Sequence, residues 1–184
     1  MRALNVSTFV SLDGVMEAPG GEAGYAHAGW VGPFFDEQLG GFKYAEQVEA
    51  DILLLGKKTY DSFSGAWPNR DDEMAAKING MTKYVVSSTL GSSDWHDTHV
   101  ISYDEVAALK EGDGGPVLVA GSKTLVHALL RDGLVDNLHL QVFPVVLATG
   151  IRVFPEQPEK IELELTSSET TARGVLLQKY AVRH

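Results

Sequence analysis

Apolar residues recur along the chain at two different spacings. Segments in which every second residue is apolar, and short wholly apolar runs, predict strands, whereas a spacing of three to four predicts helices. The predicted strands cover residues 4–12, 52–55, 83–87, 99–102, 117–120, 136–143, 161–169 and 174–182. The predicted helices cover 34–48, a short stretch from about Thr59, 71–78, a segment from an Asp104 N-cap through Leu109, and a segment from a Ser122 N-cap to Arg131.

Strands and helices alternate along most of the chain, and this order predicts an α/β fold. We expect a mainly parallel central sheet with helices on both faces, in three layers. The last two predicted strands are joined by "TTARG" at 170–174, a turn sequence that adds an antiparallel hairpin at one edge. No repeat or linker interrupts the pattern, so residues 1–184 are expected to form one domain.

The overall charge narrows the classes of partner. The chain has 184 residues and a formal net charge of -10, which disfavours nucleic acid and anionic membranes as partners. No apolar run approaches the roughly 18 residues of a membrane helix, so we expect a cytoplasmic protein. Cysteine is absent and the six histidines show no metal-ligand spacing, so no metal site is predicted.

Small, hydroxyl-bearing and basic residues follow four of the predicted strands. These sequences are "SLDG" at 11–14, "GKKT" at 56–59, "SSTL" at 87–90 and "GSKT" at 121–124. In a parallel sheet the carboxyl ends of the strands meet at one edge, where ligands bind. We therefore expect all four loops to lie at the same edge of the sheet.

The "GKKT" loop has features of a phosphate site without being a Walker A loop. Asp51 stands where that loop needs its first glycine, and Lys58 follows Lys57 where a serine or threonine is needed. Gly56 permits close approach of a ligand, and Thr59 is expected to cap a helix whose N-terminus attracts anions. The alternative is a solvated lysine pair at a helix start, and for "GSKT" a routine turn. Two such loops on neighbouring strands would suit a dinucleotide.

Five stretches in this order resemble the dihydrofolate reductase superfamily, in particular its bacterial branch related to the C-terminal reductase domain of riboflavin biosynthesis. They are "SLDG", "ADILLLGKKTYDSF", "KYVVSSTL", "VLVAGSKTLVHALL" and "DNLHLQVFPVVLATGIRVF". The resemblance covers essentially the whole chain. It implies a dihydrofolate reductase-like fold and NADPH as the cofactor, with a small molecule as substrate.

The resemblance also implies which residues contact the cofactor. They are Gly56, Lys57, Lys58 and Thr59 at the cofactor phosphates, Ser87 and Ser88 at the 2′-phosphate, and Gly121, Ser122, Lys123 and Thr124 at the pyrophosphate. Basic and hydroxyl groups there would favour NADPH over NADH, because only NADPH carries the extra dianionic phosphate.

The sequence departs from the family pattern in two places. The glycine cluster of the last loop is reduced to Gly121 followed by Ser122, whose Cβ would restrict the approach of the pyrophosphate. "AGWVGPFF" stands where dihydrofolate reductases carry Met-Pro-Trp, which argues against dihydrofolate as substrate. "PVVLATGIRVF" is more similar to the riboflavin-type branch, in which this segment is linked to dimerisation, so a homodimer is expected.

A reductase of this kind needs a proton as well as the hydride of its cofactor. The resemblance makes Asp36 the first candidate donor, as a buried carboxyl with a raised pKa, and Asp13 the second. The alternatives are a first-turn acid that stabilises the helix dipole for Asp36 and an Asp-Gly turn for Asp13.

The residues predicted to contact the substrate are Asp13, Gly14, Trp30 and Phe34. For the two aromatic rings, packing in the core is the alternative. The predicted function is an NADPH-dependent reductase of a pyrimidine- or pterin-like heterocycle or another small organic compound. A non-catalytic nucleotide-binding protein is the alternative. An acid that faces the nicotinamide pocket would distinguish the two.

Overall fold

The computed structural model describes residues 1–154, 156 and 160–183. Within them, the strands are β1 (Leu4–Ser11), β2 (Ile52–Gly56), β3 (Thr82–Val86), β4 (Thr98–Ile101), β5 (Val117–Val119), β6 (Asn137–Phe143), β7 (Glu162–Thr170) and β8 (Leu176–Arg183). The helices are α1 (Glu37–Glu49), α2 (Lys57–Ala66), α3 (Glu73–Gly80), α4 (Val106–Glu111) and α5 (Lys123–Arg131). Short 3-10 turns cover Gly32–Phe34, Trp67–Asn69 and Tyr103–Glu105.

The strands form one sheet in the order β4-β3-β2-β5-β1-β6-β8-β7. The six strands from β4 to β6 pair in parallel, whereas β8 pairs antiparallel with both β6 and β7. The prediction of a mainly parallel sheet with an antiparallel C-terminal hairpin is therefore confirmed.

The two faces of the sheet pack against different helices. On β2, Leu54 joins Val126 and Leu129 of α5 in one core cluster, whereas its neighbour Leu53 joins Tyr60 of α2 and Ile78 of α3 in another. Adjacent strand residues point to opposite faces, so the wholly apolar run 52–55 is explained by burial on both sides.

Four helix starts differ from the prediction, and the smallest difference is at α3, which begins at Glu73 after an Asp72 cap. Helix α1 begins at Glu37 because Asp36 is extended and its side chain accepts from the Leu39 N–H. Ser102 caps the 3-10 turn that leads into α4 and forms a capping box with Glu105, which is itself the N-cap of α4, so the prediction of an Asp104 cap is wrong. Gly56 is the N-cap of α2, and Thr59 therefore lies in the first turn instead of capping the helix.

No helix in the described part of the chain has the length and apolar character that a membrane crossing requires. Among the same residues, no group of three or more acidic or histidine side chains is placed to hold a metal ion. His184, one of the six histidines considered above, lies outside the described residues.

Candidate functional site

The four loops singled out in the sequence follow four consecutive strands, β3, β2, β5 and β1. These strands are parallel, so their carboxyl ends share one edge of the sheet, as expected. Gly56 is in register with Val86, which places Lys57 beside Ser87 at the start of the next loop. The edge is therefore one continuous row of polar loops.

The "GKKT" and "GSKT" loops interlock at their glycines. The Gly56 N–H donates to the Gly121 carbonyl at 2.9 Å. A Cβ at Gly56 would lie 2.9 Å from the Ser122 nitrogen and closer still to the Ser122 hydroxyl. A Cβ at Gly121 would lie 2.8 Å from the Thr59 hydroxyl, and Gly121 also has a φ of +121°. Gly56 is thus required by the close approach of the Ser122 backbone, and Gly121 by its left-handed φ and the adjacent Thr59 side chain.

The helices that follow these two loops begin without a side-chain cap. The N-caps of α2 and α5 are Gly56 and Ser122, and neither makes a side-chain capping bond. In contrast, Asp36 and Asp72 cap α1 and α3 with their carboxylates. The first-turn N–H groups of α2 and α5 consequently remain available to an anion.

The lysines of the two loops differ in their partners. Lys57 Nζ lies 2.6 Å from both carboxylate oxygens of Asp61, four residues later in α2. Lys58 is exposed, and none of the described residues forms an ion pair with it. Lys123 lies 3.8 Å from Glu17, which also accepts the Ile151 N–H. Lys58 is therefore the cation of this edge that is least engaged by the protein.

The loop after β3 is held by its first serine. Ser87 Oγ accepts the N–H groups of Thr89 at 3.1 Å and Leu90 at 3.0 Å. Both bonds use the oxygen as acceptor, and the Ser87 hydroxyl hydrogen can be donated either to an outside acceptor or to Thr89 Oγ1, which lies 3.4 Å away. Ser88 is exposed beside it. Both hydroxyls can therefore serve as donors to an anion.

Asp13 forms a structural link between two loops. It accepts from the Ser11 hydroxyl at 2.7 Å and from the N–H groups of Leu147 at 3.1 Å and Ala148 at 2.9 Å. The Ser11 bond first, and then the two amide bonds, hold the pKa of Asp13 below its usual range. A carboxyl group whose pKa is lowered in this way is ionised and holds no proton to donate, so Asp13 is a poor proton donor, although it could still bind a ligand.

Asp36 does not match the expectation of a buried, protonated carboxyl. Its bond from the Leu39 N–H, together with bonds from Thr171 and Arg173, holds the pKa of Asp36 below its usual range. The prediction of a raised pKa is wrong, because the side chain is the N-cap of α1 and its negative charge is stabilised there.

The two predicted aromatic residues belong mainly to the core. Trp30 and Phe34 both contact the ring of Phe143, at centroid distances of 5.2 and 6.0 Å, and Phe143 is fully buried. The Trp30 indole donates to the Glu17 carbonyl at 2.8 Å. Gly14 adopts a φ of +86° in the turn after β1. Substrate contact by these residues stays a prediction.

A buried polar cluster under α1 was not found from the sequence. Glu46 of α1 accepts from Ser7 of β1 at 2.8 Å and from Lys43 at 2.6 Å, and its other oxygen lies 2.6 Å from Nδ1 of His139 on β6. Lys43 also donates to Ser7 at 2.5 Å, and Gln141 contacts Ser7 at 3.2 Å. These residues link α1 to the two central strands that it covers.

The charges of this cluster depend on each other. Burial would raise the pKa of Glu46, but the positive charge of Lys43 and the hydrogen bonds from His139 and Lys43 lower it to about 2. The Oε1 atoms of Gln47 and Gln141 are buried without a hydrogen-bond partner among the described residues. A polar inner face on α1 was the available sequence signal, since Lys43, Glu46 and Gln47 share helical spacing with Leu39.

Comparison with known proteins agrees with this geometry. A family model for the RibD C-terminal domain matches residues 2–177. The uncharacterized protein YyaP of Bacillus subtilis strain 168 is 26% identical over 182 residues, covering 95% of this chain and 92% of YyaP. YwjB of the same strain is 28% identical over 174 residues, covering 91% of each protein.

Three solved structures share the fold. One is a protein named for riboflavin biosynthesis from Shewanella sp. PV-4, with a TM-score of 0.75, 17% identity and 99% coverage of each chain. A pyrimidine reductase-like protein from Corynebacterium diphtheriae has a TM-score of 0.67 and 13% identity, covering 100% of this chain and 92% of its own. A dihydrofolate reductase from Enterococcus faecalis, complexed with NADP(H) and RAB-propyl, has a TM-score of 0.65 and 15% identity, covering 99% and 97%.

Proposed function

The chain belongs to the RibD C-terminal domain family, and from that premise we propose that it is an NADPH-dependent reductase of a small heterocyclic or other small organic substrate. The observation that carries the proposal is the row of four polar loops at the carboxyl ends of β3, β2, β5 and β1. A dinucleotide is long enough to contact several such loops at once.

The residues at this edge fit a cofactor with several phosphates. The uncapped N-termini of α2 and α5 offer N–H groups to phosphate oxygens. Lys58 and Lys57, with the hydroxyls of Ser87 and Ser88, would hold the 2′-phosphate, and Gly121 through Thr124 would line the pyrophosphate. The bound cofactor supplies the hydride, and the protein orients it and excludes water. The NADP(H) complex of the E. faecalis reductase supports this assignment by analogy of fold.

The proposal is tested by titrating the protein with NADPH and NADH, using nicotinamide fluorescence and melting temperature. We expect tighter binding of NADPH. Absence of binding at millimolar cofactor would exclude the assignment.

Single substitutions locate the 2′-phosphate. Lys57→Ala is expected to weaken NADPH binding about tenfold more than NADH binding, since a charge-assisted bond to the phosphate is lost. Lys58→Ala should do the same. Asp61→Asn should strengthen NADPH binding, because it releases Lys57 from its ion pair. Lys160→Ala is the matched control, since Lys160 is an exposed lysine that precedes β7 and is ion-paired with Glu162. Equal losses for the two cofactors would contradict a 2′-phosphate role.

A non-catalytic nucleotide-binding protein is the second candidate. It is favoured by Asp13 and Asp36, whose carboxylates both bind backbone N–H groups and are held ionised. NADPH binding without oxidation in the presence of any heterocyclic acceptor would support this candidate. A homodimer and a cytoplasmic location stay predictions, and light scattering on the purified protein would test the first.

A further inference from the structure

Arg152 lies in the segment that follows β6, and its side chain contacts the "SLDG" loop after β1. Residues 151–153 pair antiparallel with residues 14–16 through main-chain bonds of 2.8 and 2.9 Å. Arg152 Nη1 donates to the Asp13 carbonyl, and it would lie 3.7 Å from a Cβ at Gly14. The guanidinium group is therefore held against two residues that are predicted to contact the substrate.

The main chain around Arg152 is also tied to α5. His127 Nε2 lies 2.8 Å from the Arg152 carbonyl oxygen. The Ile151 N–H donates to one carboxylate oxygen of Glu17 at 2.9 Å, and the other oxygen lies 3.8 Å from Nζ of Lys123 in the first turn of α5. Arg152 is thus anchored both at its main chain and at Nη1. A side chain held in this way loses less freedom when it binds a ligand.

No carboxylate among the described residues forms an ion pair with Arg152, which is unusual in this chain. Four of the six arginines form such pairs, namely Arg2, Arg70, Arg131 and Arg183. The other two, Arg152 and Arg173, donate Nη1 to the main-chain carbonyls of Asp13 and Pro33. The Arg173 N–H also donates to the Asp36 carboxylate at 3.3 Å, so an acid lies beside that residue. Arg152 is therefore the arginine whose charge the protein engages least.

Most of the hydrogen-bonding capacity of Arg152 remains unused. A guanidinium group carries five N–H donors, and within the described part of the chain only the bond to the Asp13 carbonyl is formed. The Asp13 carboxylate accepts instead from Ser11, Leu147 and Ala148. Arg152 is exposed, so a ligand can reach its remaining donors. Their planar arrangement matches the two oxygens of a phosphate or a carboxylate.

The strand order places Arg152 at the substrate end of the row of loops. The residues proposed to hold the cofactor phosphates follow β3, β2 and β5, whereas β1 and β6 come next in the sheet. Neighbouring strands are about 4.8 Å apart, so each loop lies one such step farther from the 2′-phosphate. Arg152 joins the loops after β1 and β6. An anionic group bound there would belong to the substrate.

We propose that Arg152 binds an acidic substituent of the substrate, a phosphate or a carboxylate, so that the enzyme selects an anionic compound over its neutral counterpart. This inference rests on the proposed reductase function. One Nη1 N–H stays on the Asp13 carbonyl, and the remaining N–H groups bind the two oxygens of the acid. The formal net charge of -10 repels anions from the rest of the surface, so an acidic substrate needs a local cation of this kind.

The test uses two pairs of probes that differ in their acidic group. They are uridine 5′-monophosphate with uridine, and pterin-6-carboxylate with 6-hydroxymethylpterin. Each probe is titrated into protein saturated with NADP⁺, so that it cannot occupy the cofactor phosphate sites. The variants are Arg152→Met, which removes the charge, and Arg152→Lys, which keeps the charge but not the planar fork. Arg183→Met is the matched control, since Arg183 is an exposed arginine that pairs with Glu164 at the far end of β8.

We expect the wild type to bind the acidic member of at least one pair about tenfold more tightly than the neutral member, as for a charge-assisted bond. Arg152→Met should abolish this preference, while the Kd of the neutral member and the Kd of NADP⁺ stay within about threefold of the wild type. Arg152→Lys should keep part of the preference. Arg183→Met should keep all of it, and the melting temperatures should stay close to that of the wild type.

The outcomes separate the inference from the proposed function. Equal affinity for both members of each pair in the wild type would overturn the inference, and so would a preference that persists in Arg152→Met. A tenfold weaker binding of NADP⁺ by Arg152→Met, with the preference unchanged, would assign Arg152 to the cofactor instead. Failure of the wild type to bind NADP⁺ or NADPH would overturn the proposed function, and with it the assignment of Arg152 to a substrate.

Discussion

Lys83 on β3 is fully buried, and its ammonium is held by main-chain carbonyls instead of a carboxylate. Nζ donates to the carbonyls of Ile78 at 3.2 Å, Asn79 at 3.0 Å and Met81 at 2.6 Å, at the C-terminal end of α3. It also lies 4.8 Å from the Trp95 ring centroid. The ammonium therefore satisfies carbonyls that the helix itself leaves without partners.

The burial of this charge makes stability depend on pH in the alkaline range. Burial lowers the pKa of Lys83 from 10.5 to about 8. Between these two values the unfolded chain binds more protons than the folded one, so the free energy of unfolding rises with pH. At about 1.4 kcal/mol per pH unit, the gain from pH 8 to pH 10.5 is roughly 3 kcal/mol. Below pH 8 both states are protonated and the contribution is constant.

The assay is urea denaturation of the wild type and Lys83→Met at half-unit intervals from pH 7 to 10.5. Subtracting the two curves removes the titration of other groups, and the difference should change by roughly 3 kcal/mol over the range. Lys77→Met is the control on α3, the helix whose C-terminal carbonyls Lys83 binds, because Lys77 is only partly buried and donates to one carbonyl at 3.3 Å. Curves for wild type and Lys83→Met that stay parallel within about 1 kcal/mol would refute the argument.

Two further predictions follow from the site and the cluster. Glu46→Gln should abolish a stability contribution of about 3 kcal/mol, because the pKa of Glu46 is lowered from 4.5 to about 2 and the wild type loses this contribution as pH falls through that window. Urea denaturation from pH 2 to 6 measures it. An equal dependence of the free energy of unfolding on pH in both proteins would contradict it. Gly56→Ala should lower the melting temperature and abolish NADPH binding, because a Cβ there would overlap Ser122. A Cβ at Gly65, in the helix that Gly56 caps, meets nothing within 4 Å, so Gly65→Ala should be neutral or slightly stabilising. The same response from both variants would count against the interlocked loops.

Local sequence patterns were sufficient for most of the fold. The buried run 52–55, the strand-loop-helix order at "GKKT" and "GSKT", and the C-terminal hairpin are all encoded within short segments, since strand burial and turn chemistry depend on neighbouring residues. The expectation that the loops share an edge was also confirmed, because parallel strands fix the direction of every carboxyl end. The helix starts were less certain, as competing caps such as Ser102 and Asp104 lie two residues apart.

The sequence by itself therefore determined the strands, the helices, the polar loops that follow four of the strands, and the family resemblance. Only the tertiary structure decided the state of the carboxylates. Asp13 is bound by amides 134 and 135 residues away, and Glu46 by a histidine 93 residues away. A pKa is set by such partners and by burial, and neither is present until distant segments pack together. The buried cluster of Glu46, Lys43, His139 and Ser7 was for this reason recognised only in the folded chain, whereas the Asp36 carboxylate is held first by a local bond from the Leu39 N–H.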